Sequence, residues 1–238
     1  MFDMNVEVGE NQPKKTPKTI NPGRVTVRIN SLELISRVPG ERETTTWDDP
    51  NATHTIMMHV ETPPVQEEGF EGFFRDVNNQ AAGRYEGQVG RVKLNSLPYK
   101  NKDNKPWHMQ ARMDLKRLSN TMGLSEMLST IQADSMTDLV QTIGKIMASE
   151  GKFLDMIVAG SAFMKDGYTN YSLNVAWNKG RNGSAYVLSG DSGLFDYDAE
   201  LDIFKSDKYM QEMKEAEASK AEVEAFDDNE DSAEGLQL

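Results

Sequence analysis

The feature that most limits how this 238-residue chain can fold is a double change in hydrophobic period. Val25, Val27 and Ile29 alternate with Thr26 and Arg28, and Leu32 and Leu34 resume the alternation one residue out of step. A long strand kinked at Asn30-Ser31 is the expected result. Ile56, Met58 and Val60 mark a second strand, stopped by Pro63-Pro64. YEGQVGRVKL marks a third, with Val92 and Leu94 on one face and Tyr85, Val89, Arg91 and Lys93 on the other. From Met109 the period lengthens to about 3.6 residues. Leu124, Met127, Leu128 and Ile131 keep that spacing, as do Met136, Leu139, Val140, Ile143 and Met147, and Ser135 with Asp138 has the spacing of a capping box. Gly123 and Glu150-Gly151 read as breaks, with Phe153, Ile157 and Met164 continuing a third helix. Alternation returns at YTNYSLNVAW, where Tyr171, Leu173, Val175 and Trp177 share a face, and NKGRNG turns the chain into a last strand, SAYVLSG.

Three strands, a helical insert over residues 109 to 165 and two further strands predict an α+β chain. A five-stranded, partly open barrel is one of few closures that hides the edges of so few strands. Gly83, Gly87 and Gly90 are read as allowing its curvature. Residues 1 to 23, with Pro13, Pro17 and Pro22 and no apolar periodicity, are expected to be a flexible arm, and residues 24 to 190 the folded domain. Residues 203 to 226 are expected to form a solvated helix with a thin apolar stripe of Tyr209, Met213 and Ala216. The final FDDNEDSAEGLQL is too polar to bury a core and reads as a disordered tail.

Charge divides along the same lines. The net charge is −12, and residues 191 to 238 alone carry 16 acids against four lysines, so residues 1 to 190 are neutral. Inside that neutral body, residues 84 to 117 hold nine bases and three acids. A basic segment attracts polyanions, whereas an acidic end repels or imitates them. There is no cysteine, which excludes disulfide scaffolds, thiolate zinc sites and cysteine nucleophiles. No apolar run reaches membrane-spanning length and the first residues have no signal pattern, so the chain is expected to stay in a cytosol.

With the helices falling between the third and fourth strands, and with an acidic C-terminal segment, the pattern resembles the OB-fold and, more loosely, the bacteriophage single-stranded DNA-binding proteins that join such a barrel to an acidic tail. The resemblance lies in the order of elements over about residues 24 to 190 and in the tail chemistry, and no motif transfers a residue. It implies an OB-like five-stranded barrel with a helical insert, acting on DNA in replication or recombination within a bacterial host.

Sequence-tolerant binding of a single strand requires cations for phosphates and aromatic faces for bases. The segment from Arg84 to Arg117 interleaves both. Its candidates are Tyr85, Arg91, Lys93, Tyr99, Lys100, Lys102, Lys105, Trp107, Arg112, Lys116 and Arg117. Tyr99 and Trp107, in the polar loop LPYKNKDNKPWH, are the expected base-stacking residues. Lys179 and Arg181 at the later turn add cations. Trp177 beside them is read equally as core or contact. Phe226, Asp227, Asp228, Glu230 and Asp231 are read as a tail segment that recruits basic replication or recombination proteins. The expected function is therefore cooperative, non-catalytic single-stranded DNA binding, with self-association left open.

Enzyme signatures are sparse. His54 and His59 point to opposite faces of a strand and make a poor metal pair, and no Walker loop, serine elbow or HExxH pattern is present. No cofactor or metal is expected. Asp196, Asp198, Glu200 and Asp202 alternate like a calcium loop, yet Leu201 stands where such a loop needs glycine, leaving a metal-dependent nuclease as a third reading. The second reading is an assembly or adaptor protein docking through the insert, which carries eight of the 14 methionines.

Overall fold

A computed structural model of the chain describes residues 20–62, 88–100, 104–166, 168–176, 188–189 and 198–230. The elements follow in the order β1 (Gly23–Arg37), β2 (Thr53–Glu61), β3 (Val89–Pro98), α1 (Trp107–Thr121), α2 (Ser125–Ser129), α3 (Met136–Glu150), β4 (Phe153–Lys165), β5 (Tyr168–Val175), β6 (Leu188–Ser189), α4 (Ala199–Asp202), β7 (Ile203–Lys205) and α5 (Asp207–Glu230). The chain is a mixed α+β protein.

β1 serves two neighbours. Its first half pairs antiparallel with β4, from Gly23↔Val158 to Arg28↔Phe153, and its second half with β2, from Arg28↔Glu61 to Arg37↔Thr53. The register shifts between Ile29 and Ser31, at the kink expected from the sequence. A bulge adds one residue to one strand, so the inward set passes from Val25, Val27 and Ile29 to Leu32 without a change of face. β2 pairs antiparallel with β3, β3 parallel with β5, β5 antiparallel with β4, and β4 returns to β1. The ring is unevenly closed, because β3 and β5 meet only at Val92↔Leu173 and Lys93↔Asn174. β7 lies parallel against Gly160–Ala162 of β4, beyond the stretch of β4 that pairs with β1.

Helices α1 to α3 occupy the interval between β3 and β4, but the insert ends earlier than expected. Residues 153 to 165 are not a third helix. They are β4, in which Leu154, Met156, Val158, Gly160 and Ala162 are buried at a period of two. Ile157 is buried as well, and it supplied the four-residue spacing from Phe153 that imitates a helix. Helix α3 itself follows expectation. Ser135 Oγ accepts from the Asp138 amide at 3.0 Å, and the helix stops at Gly151, which takes the left-handed conformation at φ 61°. Helix α3 approaches β1 so closely that a Cβ on Gly144 would lie 2.5 Å from the Leu32 amide nitrogen. The helix expected over Leu124 to Ile131 shrinks to a single short turn, α2.

At the ends of the domain two boundaries move. Ile20 is buried and its amide donates to the Val89 carbonyl at 3.2 Å, so the chain packs on the body from Ile20, before β1 begins. Gly90 makes room for that contact, since a Cβ there would meet the Ile20 side chain at 3.1 Å. The C-terminal helix runs from Asp207 to Glu230, so Phe226, Asp227, Asp228 and Glu230 lie on α5 rather than on a tail, while Asp231 lies outside the described residues. Tyr209 is buried, with Met210 and Met213 packed beside it against Ala162 and Ile203. Among the described residues, no helix is long and apolar enough to cross a membrane.

Candidate nucleic-acid interface

The alternation of β3 sends Val92 and Leu94 into the core and Arg91 and Lys93 outward. With Val38–Gly40 at the end of β1, the outer face of β2 and the neighbouring β5, these bases line a groove of about 550 Å3. Among the described residues its lining holds three cations, Arg37, Arg91 and Lys93, and no acid, together with Thr53, Thr55, Met57 and Ser172. The groove crosses the place where β3 and β5 pair over only two residues, and Lys93 Nζ spans it by donating to Ser172 Oγ at 3.0 Å. Arg91 donates to Glu33 at 3.2 Å, and the same carboxylate oxygen meets His59 Nε2 at 3.0 Å. All three side chains are substantially exposed, and such an ion pair contributes about 0–1 kcal/mol. Arg91 can exchange that partner for a phosphate at little energetic cost.

A second group of expected residues forms a structural corner. Lys100 and Pro106 make an isolated bridge, and the Trp107 amide donates to the Tyr99 carbonyl at 2.9 Å, joining the end of β3 to the start of α1. The junction turns Trp107 inward. It opens α1 with only 2 % of its surface exposed, its ring stacked on His54 at 4.2 Å and 15°. The expectation that Trp107 is displayed for base stacking is thereby corrected: both faces of the indole lie in the core. Tyr99 is half-buried against the same core, 6.0 Å from the imidazole, while Lys100 and Lys105 are exposed.

His54 has no exposed surface and its Nδ1 lies 2.9 Å from Ser36 Oγ. Burial holds its pKa below the ordinary 6.5, since a charged imidazolium would lose its water, and the nearby Asp49 opposes that shift. The signal for its burial was in the sequence, because His54 is in phase with Ile56, Met58 and Val60.

The remaining bases separate further. Arg112 and Lys116 are exposed on α1 and line a different cleft, of about 920 Å3, with Trp47, His108, Met109, Met113 and Ile131. Arg117 lies 3.4 Å from Asp114, a fully buried carboxylate that also accepts from Asn95 at 3.0 Å and Gln110 at 2.9 Å. Asn95 in turn accepts from the Ile56 amide at the register shift between β2 and β3. Arg117 thus belongs to a structural network that ties α1 to the sheet. Tyr85, Lys102, Trp177, Lys179 and Arg181 fall outside the described residues.

Asp198 caps α4, accepting from the amides of Glu200 and Leu201, and Asp202 is buried and accepts from the Asp198 amide at 2.9 Å. These acids build a turn. Among the described residues, no group of three or more His, Asp or Glu side chains is placed to hold a metal ion. Sequence reasoning missed Arg37, which ends β1 beside the Pro39-Gly40 turn, and Ser172, whose outward direction follows only from the pairing of β5. The chain matches no family model, no curated protein and no solved structure.

Proposed function

We propose that this protein binds single-stranded DNA, tolerantly of sequence and without catalysis, on an OB-like barrel, and acts in replication or recombination. The observation that carries the reading is the groove across β2, β3 and β5 whose described lining holds Arg37, Arg91 and Lys93 and no carboxylate. The order of pairing, β1-β2-β3-β5-β4 and back to β1 with the main helices between β3 and β4, supports the OB-like assignment. In this fold oligonucleotides lie across the second and third strands. In this reading Arg91 and Lys93 neutralise phosphates, and the acidic end of α5, from Phe226 to Glu230, recruits basic partner proteins.

The test is the affinity for labelled oligo-dT and for duplex at two salt concentrations. Single strands are expected to bind more tightly, with log K falling against log salt by about 0.7 per phosphate neutralised. Arg91→Ala with Lys93→Ala is expected to weaken binding and flatten that slope. Equal affinity for duplex, or no binding at about 50 mM salt, overturns the reading.

A second reading, docking of a protein partner on the helical layer, is favoured by Met109 and Met113, each about half-exposed beside the cleft of Trp47 and Ile131. Adaptable methionine surfaces suit such partners.

A further inference from the structure

The proposed function requires aromatic faces, and among its described lining the groove offers one ring, Tyr171, partly buried against the core, while Trp107 is buried. The most exposed aromatic rings among the described residues are instead Tyr168 at 74 %, Phe204 at 66 % and Phe163 at 42 %. They are distant in sequence, yet strand register brings them together. Lys165 of β4 pairs with Tyr168 of β5, and Ser161 of β4 pairs with Phe204 of β7. Residues two apart on a strand, and residues directly paired, share a face. Phe204, Phe163 and Tyr168 therefore form a diagonal stripe over three adjacent strands, with Lys165 on the same face.

That face is the groove's own. Ser161 pairs with Ser172, which accepts the hydrogen bond from Lys93 Nζ at 3.0 Å, and Lys93 pairs with Asn174. Lys93, Ser172, Ser161 and Phe163 thus lie on one continuous outer surface, the opposite side of these strands carrying the buried Val92, Leu173 and Ala162. Diagonal neighbours on paired strands are about 7–8 Å apart. A planar base held between two rings needs about twice the 3.5–4.0 Å contact distance. Apolar side chains gathered on one exposed face and rimmed by polar residues are a mark of interaction sites.

Resting on the single-strand reading above, we infer that Phe163, Tyr168 and Phe204 are the base-stacking platform of this protein. A strand whose phosphates lie along Arg91 and Lys93 continues over Ser172 and Ser161 and sets its bases on these rings, with Lys165 meeting a phosphate at the far end.

The experiment measures oligo-dT binding and the occluded length per protein for the full chain, for Arg91→Ala with Lys93→Ala, and for Phe163→Ala, Tyr168→Ala and Phe204→Ala singly. Each aromatic variant is expected to lose about 5- to 150-fold in affinity, to occlude a shorter length and to keep the melting profile of the parent, while Tyr168→Phe retains most of the affinity. If the groove variant loses affinity and the three aromatic variants do not, the platform is overturned and the single-strand reading survives. If the unaltered chain does not bind oligo-dT, both fall. If the aromatic variants change only self-association, read by sedimentation, with affinity per site unchanged, the stripe is a contact between copies of the chain and the inference is overturned. Should Phe163→Ala fail to fold, Tyr168→Ala and Phe204→Ala decide, because their rings are mostly in solvent.

Discussion

The corner between β3 and α1 and the outer face of β4, β5 and β7 are built from similar residues and meet opposite fates. Both set aromatic rings beside lysines: Tyr99, Lys100, Lys105 and Trp107 in one, Phe163, Lys165, Tyr168 and Phe204 in the other. At the corner, the Lys100–Pro106 bridge and the Tyr99–Trp107 hydrogen bond join β3 to α1 so that the indole enters the core. On the outer face, β-register sends the rings to the side that the helices do not cover. An aromatic in a polar segment became core, and aromatics in strands became surface. What decides is which side of the sheet a ring faces, not the polarity of its neighbours in sequence.

Trp107→Ala is the harshest test of that contrast. Removing a buried indole deletes its contacts and leaves a cavity, so a loss of about 3–5 kcal/mol is expected, read as a lower urea midpoint with an unchanged slope. If the midpoint stays where it was, Trp107 is not a core residue and the comparison collapses.

The imidazole under that indole gives a milder test, through pH. The folded-state pKa of His54 is lowered from 6.5. In the unfolded chain the imidazole takes up a proton near its ordinary value, whereas the folded protein resists protonation until lower pH. The unfolded state then binds more protons, and folding stability falls as pH drops below about 6.5, by up to about 1.4 kcal/mol per unit from this group. Above that value its contribution is complete and flat. Urea midpoints between pH 7.5 and 5.5 should decline, and His54→Gln should remove most of that decline. Identical pH profiles for the two proteins would show that the corner does not resist charge.

The smallest expected effect lies away from both regions and calibrates them. Ser135→Ala removes the side-chain acceptor at the start of α3 and should cost about 1 kcal/mol, because Leu32 packed close to Gly144 holds the rest of the helix in place. A loss as large as that of Trp107→Ala would mean that α3 depends on its cap more than on its packing.

Much of the fold was legible because it is written in short-range patterns. The phase slip between Ile29 and Leu32 marked the bulge in β1, Ser135 with Asp138 marked the cap of α3, and Val92 with Leu94 marked the inward face of β3. Strand β4 was misread because Ala159, Gly160, Ser161 and Ala162 do not favour strands in isolation. Pairing with β1, β5 and β7 overrides that weakness. The outward direction of Arg91 and Lys93 was legible from alternation alone. The place of Arg117 was not, because the buried carboxylate that holds it, Asp114, could not be seen as buried without the sheet beneath α1.

By itself the sequence determined, outside α2 and β4, where the backbone alternates, coils, kinks and stops, and, along the whole chain, where charge accumulates. Those properties depend on residues a few positions apart and on dihedral preferences that every chain carries with it. Tertiary structure alone decided that β3 meets β5 in parallel, that Lys93 reaches Ser172, that Trp107 lies on His54, and that Phe204 joins Phe163 and Tyr168 on one face. Each joins residues far apart in the sequence and depends on the register of strand pairing. A slip of one residue would reverse the side on which every ring and every cation stands.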